Sequence, residues 1–162
     1  RFISIVKMHS DIIKNIDDAF IAELIFIKNQ FNLMIIEDRK FIDSRDITIK
    51  QMEHHSIHMW ADMVTVHYGN EDTILGVLDT EMDIVLTCNN DASIESVIDI
   101  AKKYEKHVVG FLSDSIFVNE FYTFTSKPLK TDTIDTNIFR IENSINDSAI
   151  DKTVCMFQKI DQ

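Results

Sequence analysis

The order of the apolar segments constrains this chain more than any other feature. "FISIVKM" (2–8), "NLMIIED" (32–38), "ADMVTVHYG" (61–69), "MDIVLTC" (82–88) and "VVGFLSD" (108–114) are near-continuous apolar runs rather than alternating ones. Strands covered on both faces read this way. Between them lie helical patterns: "IDDAFIAELIFIKNQF" (16–31), "ITIKQMEHHSIHMW" (47–60), "EDTILGVLD" (71–79) and "DASIESVIDIAKKYEKH" (91–107). The first carries Phe20, Leu24, Ile27 and Phe31 at helical spacing. The last begins acidic and ends basic, which suits the helix dipole. Strand and helix alternate as βαβαβαβαβ, the signature of an α/β fold with a parallel sheet. Beyond residue 115 the order weakens. "FYTFTS" (121–126) and "KTVCMFQKI" (152–160) read as two further strands joined by a polar stretch, for about seven in all.

A chain of 162 residues is read as a single domain, 1–162, with enough length for a real core. Its net charge of −11 would repel a phosphate backbone, so a nucleic-acid partner is not expected. No run reaches the roughly 18 apolar residues of a membrane span, so no membrane partner is expected either. Cys88 and Cys155 each lie in strand-like apolar context and read as reduced core thiols of a cytoplasmic protein. The chain has only three glycines, Gly69, Gly76 and Gly110, and one proline, Pro128. It is rich in Ile, Asn, Asp and Lys, a bias that fits an A/T-rich genome such as that of a parasite or a large DNA virus.

In parallel α/β folds, chemistry gathers at the carboxyl ends of the strands. Those ends here carry Lys7 and His9, then Asp38, Lys40 and Asp43, then His67, then Cys88 and Asn89. Alternating lysines and aspartates hold one another ionised. A fixed ammonium among them can stabilise negative charge that develops during a reaction.

The segments "KMHSDI" (7–12), "IIEDRKFID" (35–43), "WADMVTVH" (60–67) and "HVVGFLSDS" (107–115) resemble orotidine 5′-phosphate decarboxylase in order and spacing. The resemblance runs from about residue 2 to 126. Its most specific parts are the Asp-x-Lys-x-x-Asp element behind a buried strand and the upstream Lys-x-His-x-Asp. It implies a TIM barrel of the decarboxylase type that works as a homodimer, with no cofactor and no metal. It also implies roles for site residues. Lys7 would contact ribose and an acid, and Asp38 would press on the substrate carboxylate. Lys40 would protonate the carbanion left when CO₂ departs, and Asp43 would reach into the partner's site. His9 and His67 would bind substrate.

The departures from the family pattern matter equally. Ser44, Arg45, Asp46 and Ile47 replace a small Ile-Gly-Asn-Thr turn, which sets a long Arg where Gly let the backbone close on the site. The Ser-rich loop expected after "DIVLTC" is missing. The family grips phosphate with a Gly-containing loop, a Gln-Gln-Tyr segment and an Arg-Gly pair. This chain has no Gly after Gly110, and Gln158-Lys159 stands where Arg-Gly is expected, so no phosphate-binding residue is recognisable. Because the chain starts at Arg1, the family's first strand is expected upstream. The barrel then reads as incomplete, with an open edge to be covered by a homodimer mate or a partner chain.

His54, His55 and His58 cluster on one helical segment, yet such groups on a charged helix are more often solvated than metal-binding. Trp60 reads as core. The expectation from sequence is therefore a catalytically inactive decarboxylase-like barrel turned to protein interaction or a structural role. The alternative is an active decarboxylase converting orotidine 5′-phosphate to UMP through Lys7, Asp38, Lys40 and Asp43.

Overall fold

The computed structural model describes residues 5–87, 93–114 and 120–125, together with the strand backbones over 138–144 and 154–159. Eight strands form a closed barrel in sequence order. They are β1 (Ile5–Met8), β2 (Met34–Phe41), β3 (Met63–His67), β4 (Asp83–Thr87), β5 (Val108–Leu112), β6 (Tyr122–Thr125), β7 (Ile138–Ser144) and β8 (Val154–Lys159). Helices α1 (Asp18–Phe31), α2 (Arg45–His54), α3 (Ile57–Trp60), α4 (Glu71–Leu78) and α5 (Ile94–Lys103) fill the connections from β1 to β5.

Strands β1 to β7 run parallel, each beside its successor. β8 breaks the rule and lies antiparallel between β7 and β1. The edge that the sequence leaves open is thus covered from within the chain, by a strand in reverse orientation rather than by another βα unit. Hydrogen bonding to both neighbours removes the bare edge that would otherwise template aggregation. The reversal also corrects an expectation. Lys159 pairs with Phe139 near the start of β7, so Gln158-Lys159 ends at the amino-terminal face of the barrel, opposite the mouth. The pair does not stand where a phosphate grip belongs. β7 itself lies inside the stretch that reads as polar.

Strand alternation sorts the core into two layers. Ile5, Ile36, Met63, Val85 and Phe124, from five strands, form the barrel interior. Ile35, Val64, Val66, Ile84 and Leu86 point the other way, onto Met52, Ile57, Trp60, Ile74, Val77 and Val97 of the helices. This two-faced burial is why the strands lack polar alternation.

The helical stretch expected over 47–60 is two helices. Ser56 takes a left-handed backbone (φ 47°) that ends the first turn sequence, and the Trp60 indole N–H donates to the freed His55 carbonyl at 3.0 Å. Trp60 is buried, as its core reading expects. The break also places His54 and His58 on different helices, and among the described residues no group of three or more His, Cys, Asp or Glu is placed to hold a metal. In α1, capped by the Asp17 carboxylate on the Phe20 N–H (2.8 Å), apolar residues run around the whole helix. Ile21 faces the barrel, while of the residues at helical spacing Ile27 and Phe31 are exposed, Phe31 to 61%.

Gly110 sits where β5 meets β6. A Cβ there would collide with the Tyr122 backbone carbonyl. Gly69, by contrast, has only the His67 ring nearby, at 3.3 Å. Gly110→Ala is expected to cost about 3 kcal/mol in urea unfolding, the scale of core overpacking, while Gly69→Ala stays within about 1 kcal/mol. Equal midpoints for the two variants would contradict this register.

Candidate active site at the barrel mouth

β2 is straight up to Glu37, which pairs with Val64, and resumes at Phe41, which pairs with Val66. Residues 38 to 40 therefore stand opposite Thr65 alone, a bulge that turns side chains into the mouth. At its end Lys40 adopts φ 55°, a left-handed conformation that costs a side-chain-bearing residue about 1–2 kcal/mol. The Lys40 N–H donates to Thr65 Oγ1 at 2.8 Å, which helps to hold it there.

Asp38 is 2% exposed and is the hub of the mouth. Lys7 Nζ donates to Asp38 Oδ2, and Lys40 Nζ lies 2.9 Å from Oδ1. Thr65 Oγ1 donates to the same Oδ1 at 2.9 Å. Burial pushes the Asp38 carboxyl upward, but the Lys7 and Lys40 ammoniums outweigh it and hold it below the usual carboxylate range. Lys7 Nζ also donates to His9 Nε2 at 3.0 Å. Burial first, and Lys7 second, lower the His9 imidazole, so it is neutral at pH 7 and accepts rather than donates. Two ammoniums thus share the Asp38 carboxylate, and of the two lysines Lys40 is the more open, with a side chain 51% exposed.

Lys7, His9, Asp38 and Lys40 thus converge as the strand-end reading expects. Asp43 does not join them within the chain. It is exposed beyond the bulge, where its carboxylate accepts from Gln51 Nε2 at 2.8 Å. Its backbone carbonyl collects the Thr73 hydroxyl and Asn70 Nδ2 (3.1 Å), which ties the β2–α2 turn to α4. Lys40 and Asp43 both line an open cleft of about 530 Å³ beside the mouth, with Asp11, Arg39, Lys50 and His54.

His67 ends β3. Its Nδ1 accepts the Gly69 N–H at 3.2 Å, which puts the ring proton on Nε2, and that buried atom has no partner among the described residues. Cys88 and Asn89 lie outside the described residues, while Cys155 is on β8 with its backbone beside Lys7.

Arg45 departs from the expectation that it would crowd the site. Its guanidinium makes a two-toothed contact with Asp79, 2.6 and 2.7 Å, at the end of α4. The side chain points away from the mouth. Close approach of α2 and α4 instead falls on Gly76, where a Cβ would come 2.8 Å from the Arg45 carbonyl.

Three participants escape the sequence reading. Thr65 is the one hydroxyl within the apolar strand "MVTVH", two residues before His67 and so on the same face, and that spacing is a usable signal. Glu37 is fully buried on the outer face of β2 and accepts both the backbone N–H (3.0 Å) and the hydroxyl (2.7 Å) of Ser10. On the far rim Thr125 Oγ1, at the end of β6, donates to Asp114 beyond β5 at 2.6 Å.

Residues 2–115 match the family described as Orotidine 5′-phosphate decarboxylase / HUMPS family. Uridine 5′-monophosphate synthase of Caenorhabditis elegans is 36% identical over 78 residues, 47% of this chain and 16% of that protein. The synthase of Bos taurus is 29% identical over 128 residues, 70% of this chain and 27% of its own length. Orotidine 5′-phosphate decarboxylase of Penicillium nalgiovense is 27% identical over 135 residues, 69% of this chain and 48% of that enzyme. The chain spans less than half the length of these relatives. With its barrel order, the bulged second strand and a match over most of its length, the chain belongs to the orotidine 5′-phosphate decarboxylase / HUMPS family.

Proposed function

We propose that this family member does not decarboxylate orotidine 5′-phosphate, and that its Lys7–Asp38–Lys40 centre serves as the keystone of a barrel used for protein interaction or a structural role. The observation that carries this reading is the far rim of the mouth. A nucleotide phosphate needs cations and free backbone N–H groups on that side. The described residues there instead offer the Asp114 carboxylate, held by Thr125. The chain after Gly110 contains no glycine to form a phosphate cradle, and β8 carries Lys159 to the opposite face. Substrate binding at a remote phosphate normally helps to drive a difficult step, so its loss removes rate even where the reacting groups persist.

The strain at Lys40 favours a second reading, an active decarboxylase. Non-glycine residues in left-handed backbone concentrate at working sites. In that reading Asp38 repels the substrate carboxylate, the carbon–carboxyl bond breaks, CO₂ leaves with the ring carbanion behind, and Lys40 Nζ delivers a proton to that carbon. Asp43 would then act in the partner protomer of a homodimer.

Release of CO₂ from orotidine 5′-phosphate separates the two. Turnover by the chain should be no greater than that of Lys40→Ala, and calorimetry with UMP should show no micromolar binding. Lys40-dependent turnover would establish the second reading.

A keystone role makes a further demand on stability. Asp38 is buried, so Asp38→Ala strands the Lys7 ammonium and should cost about 3–5 kcal/mol. Lys40 is half exposed, and Lys40→Ala should cost about 1 kcal/mol or less. Because the Asp38 pKa is depressed, its contribution is fully present above the ordinary carboxylate value of about 4 and is lost as pH falls through the lowered folded value. Unfolding of the unaltered chain should therefore become more acid-sensitive below about pH 4 than that of Asp38→Asn. Parallel acid curves would argue against the keystone.

A further inference from the structure

Glu37 and Asp38 are neighbours on β2 that grip the same strand end from opposite faces. Inside the mouth Asp38 holds Lys7, and outside it Glu37 holds Ser10. Between these two attachments lie Met8 and His9, so the position of the whole β1 terminus rests on two adjacent carboxyl groups. Ser10 opens a 3-10 turn, Ser10–Ile12, whose internal bonds are marginal: Ile12 N–H to the His9 carbonyl and Ile13 N–H to the Ser10 carbonyl, both 3.3 Å. The turn is therefore held by Glu37 more than by itself. It is also the lid on Glu37, which has no solvent exposure while the turn is in place.

The surroundings of Glu37 give its charge little support. Its register partners on the two flanking strands are Met8 of β1 and Val64 of β3, both apolar. Arg39, on its own strand, favours the ionised form, and Asp11, on the turn, opposes it. From the helix side His55 feels the same Arg39 and Asp11, and burial holds its imidazole below the usual value. Apart from Arg39, then, Ser10 supplies the compensation, through two donors.

We propose that Glu37 is a proton-operated latch: protonated, it keeps the Ser10–Ile12 turn closed over the outside of the barrel, and ionised, it favours release of the turn and loosens His9 and Lys7 at the mouth. The direction follows from desolvation. A buried carboxylate with few partners is stabilised by whatever lets water reach it, and lifting the turn is the smallest movement that does so. Burial raises the Glu37 carboxyl to about 7, which puts the transition near neutrality. Since the folded value lies above the unfolded one, the closed state is favoured at low pH and loses that advantage as pH rises through about 7. The latch is independent of whether the mouth turns over a substrate.

Hydrogen–deuterium exchange of the full chain between pH 5.5 and 8.5, corrected for intrinsic exchange, tests this. Protection of the Ser10, Ile12 and Ile13 amides should fall by up to about tenfold per pH unit from pH 5.5 to about 7 and level off above it, with far-UV circular dichroism unchanged, as one linked proton requires. In Glu37→Gln the same amides should show no pH dependence over this range. Protection that is flat or rises with pH in the unaltered chain would overturn the latch. So would an equal fall in Glu37→Gln. Should that variant not fold, a carbon-13 titration of the Glu37 carboxyl in the unaltered chain decides, and a midpoint near 4.5 refutes the proposal.

Discussion

The mouth of this barrel is organised by one costly act, the burial of the Asp38 carboxylate. A lone carboxylate removed from water would be destabilising by several kcal/mol. Asp38 is tolerable because Lys7 and Lys40 approach it from two strands' worth of backbone and Thr65 donates from a third strand. Those requirements dictate local geometry. Lys40 meets Asp38, two residues earlier, across the bulge in β2 and from a left-handed backbone. Thr65 serves both residues with one oxygen, which accepts from the Lys40 amide and donates to the Asp38 carboxylate. β1, β2 and β3 are thereby fastened together at their carboxyl ends.

Closure of the ring follows a different logic. From β1 to β4 each strand is succeeded by a helix that covers it, and the outer core is sheet against helix. The return to β1 is made by β8, which reverses direction. An antiparallel strand satisfies the backbone ladder as well as a parallel one. It does not, however, deliver the same end of itself to the mouth. In a fully parallel barrel every strand contributes its carboxyl end to the site, whereas β8 contributes Val154, its first residue.

Much of this was legible in the residues. The five apolar runs became β1 to β5 because double burial leaves an unmistakable pattern. Lys7, His9, Asp38 and Lys40 converged because strand ends in a parallel barrel must. What escaped depended on tertiary context. β7 was hidden in "NIFRIENS", whose mixed polarity gives no continuous apolar run. The direction of β8 has no local signature, since strand patterns read the same in either sense. Arg45 looked obstructive in linear order, but whether a long side chain fills a mouth or leaves it depends on a partner such as Asp79, 34 positions away. The left-handed Lys40 could not be foreseen either, because that conformation normally announces itself with glycine.

Glu37 and Asp38 show how little residue type alone determines. They are acids one position apart on the same strand, and both are buried. Strand alternation sends one outward and one inward. Asp38 meets two ammoniums and is held ionised below the usual range, while Glu37 meets a serine and is pushed to about 7. The same desolvation acts on both, so the difference lies in which partners the pleat delivers. Exchanging their environments would require a one-residue slip of β2, which would also turn Ile35 and Ile36 to the wrong layers. Hydrophobic register therefore enforces the electrostatic assignment: the packing of Ile35 and Ile36 decides that Asp38, and not Glu37, is the charged residue of the mouth.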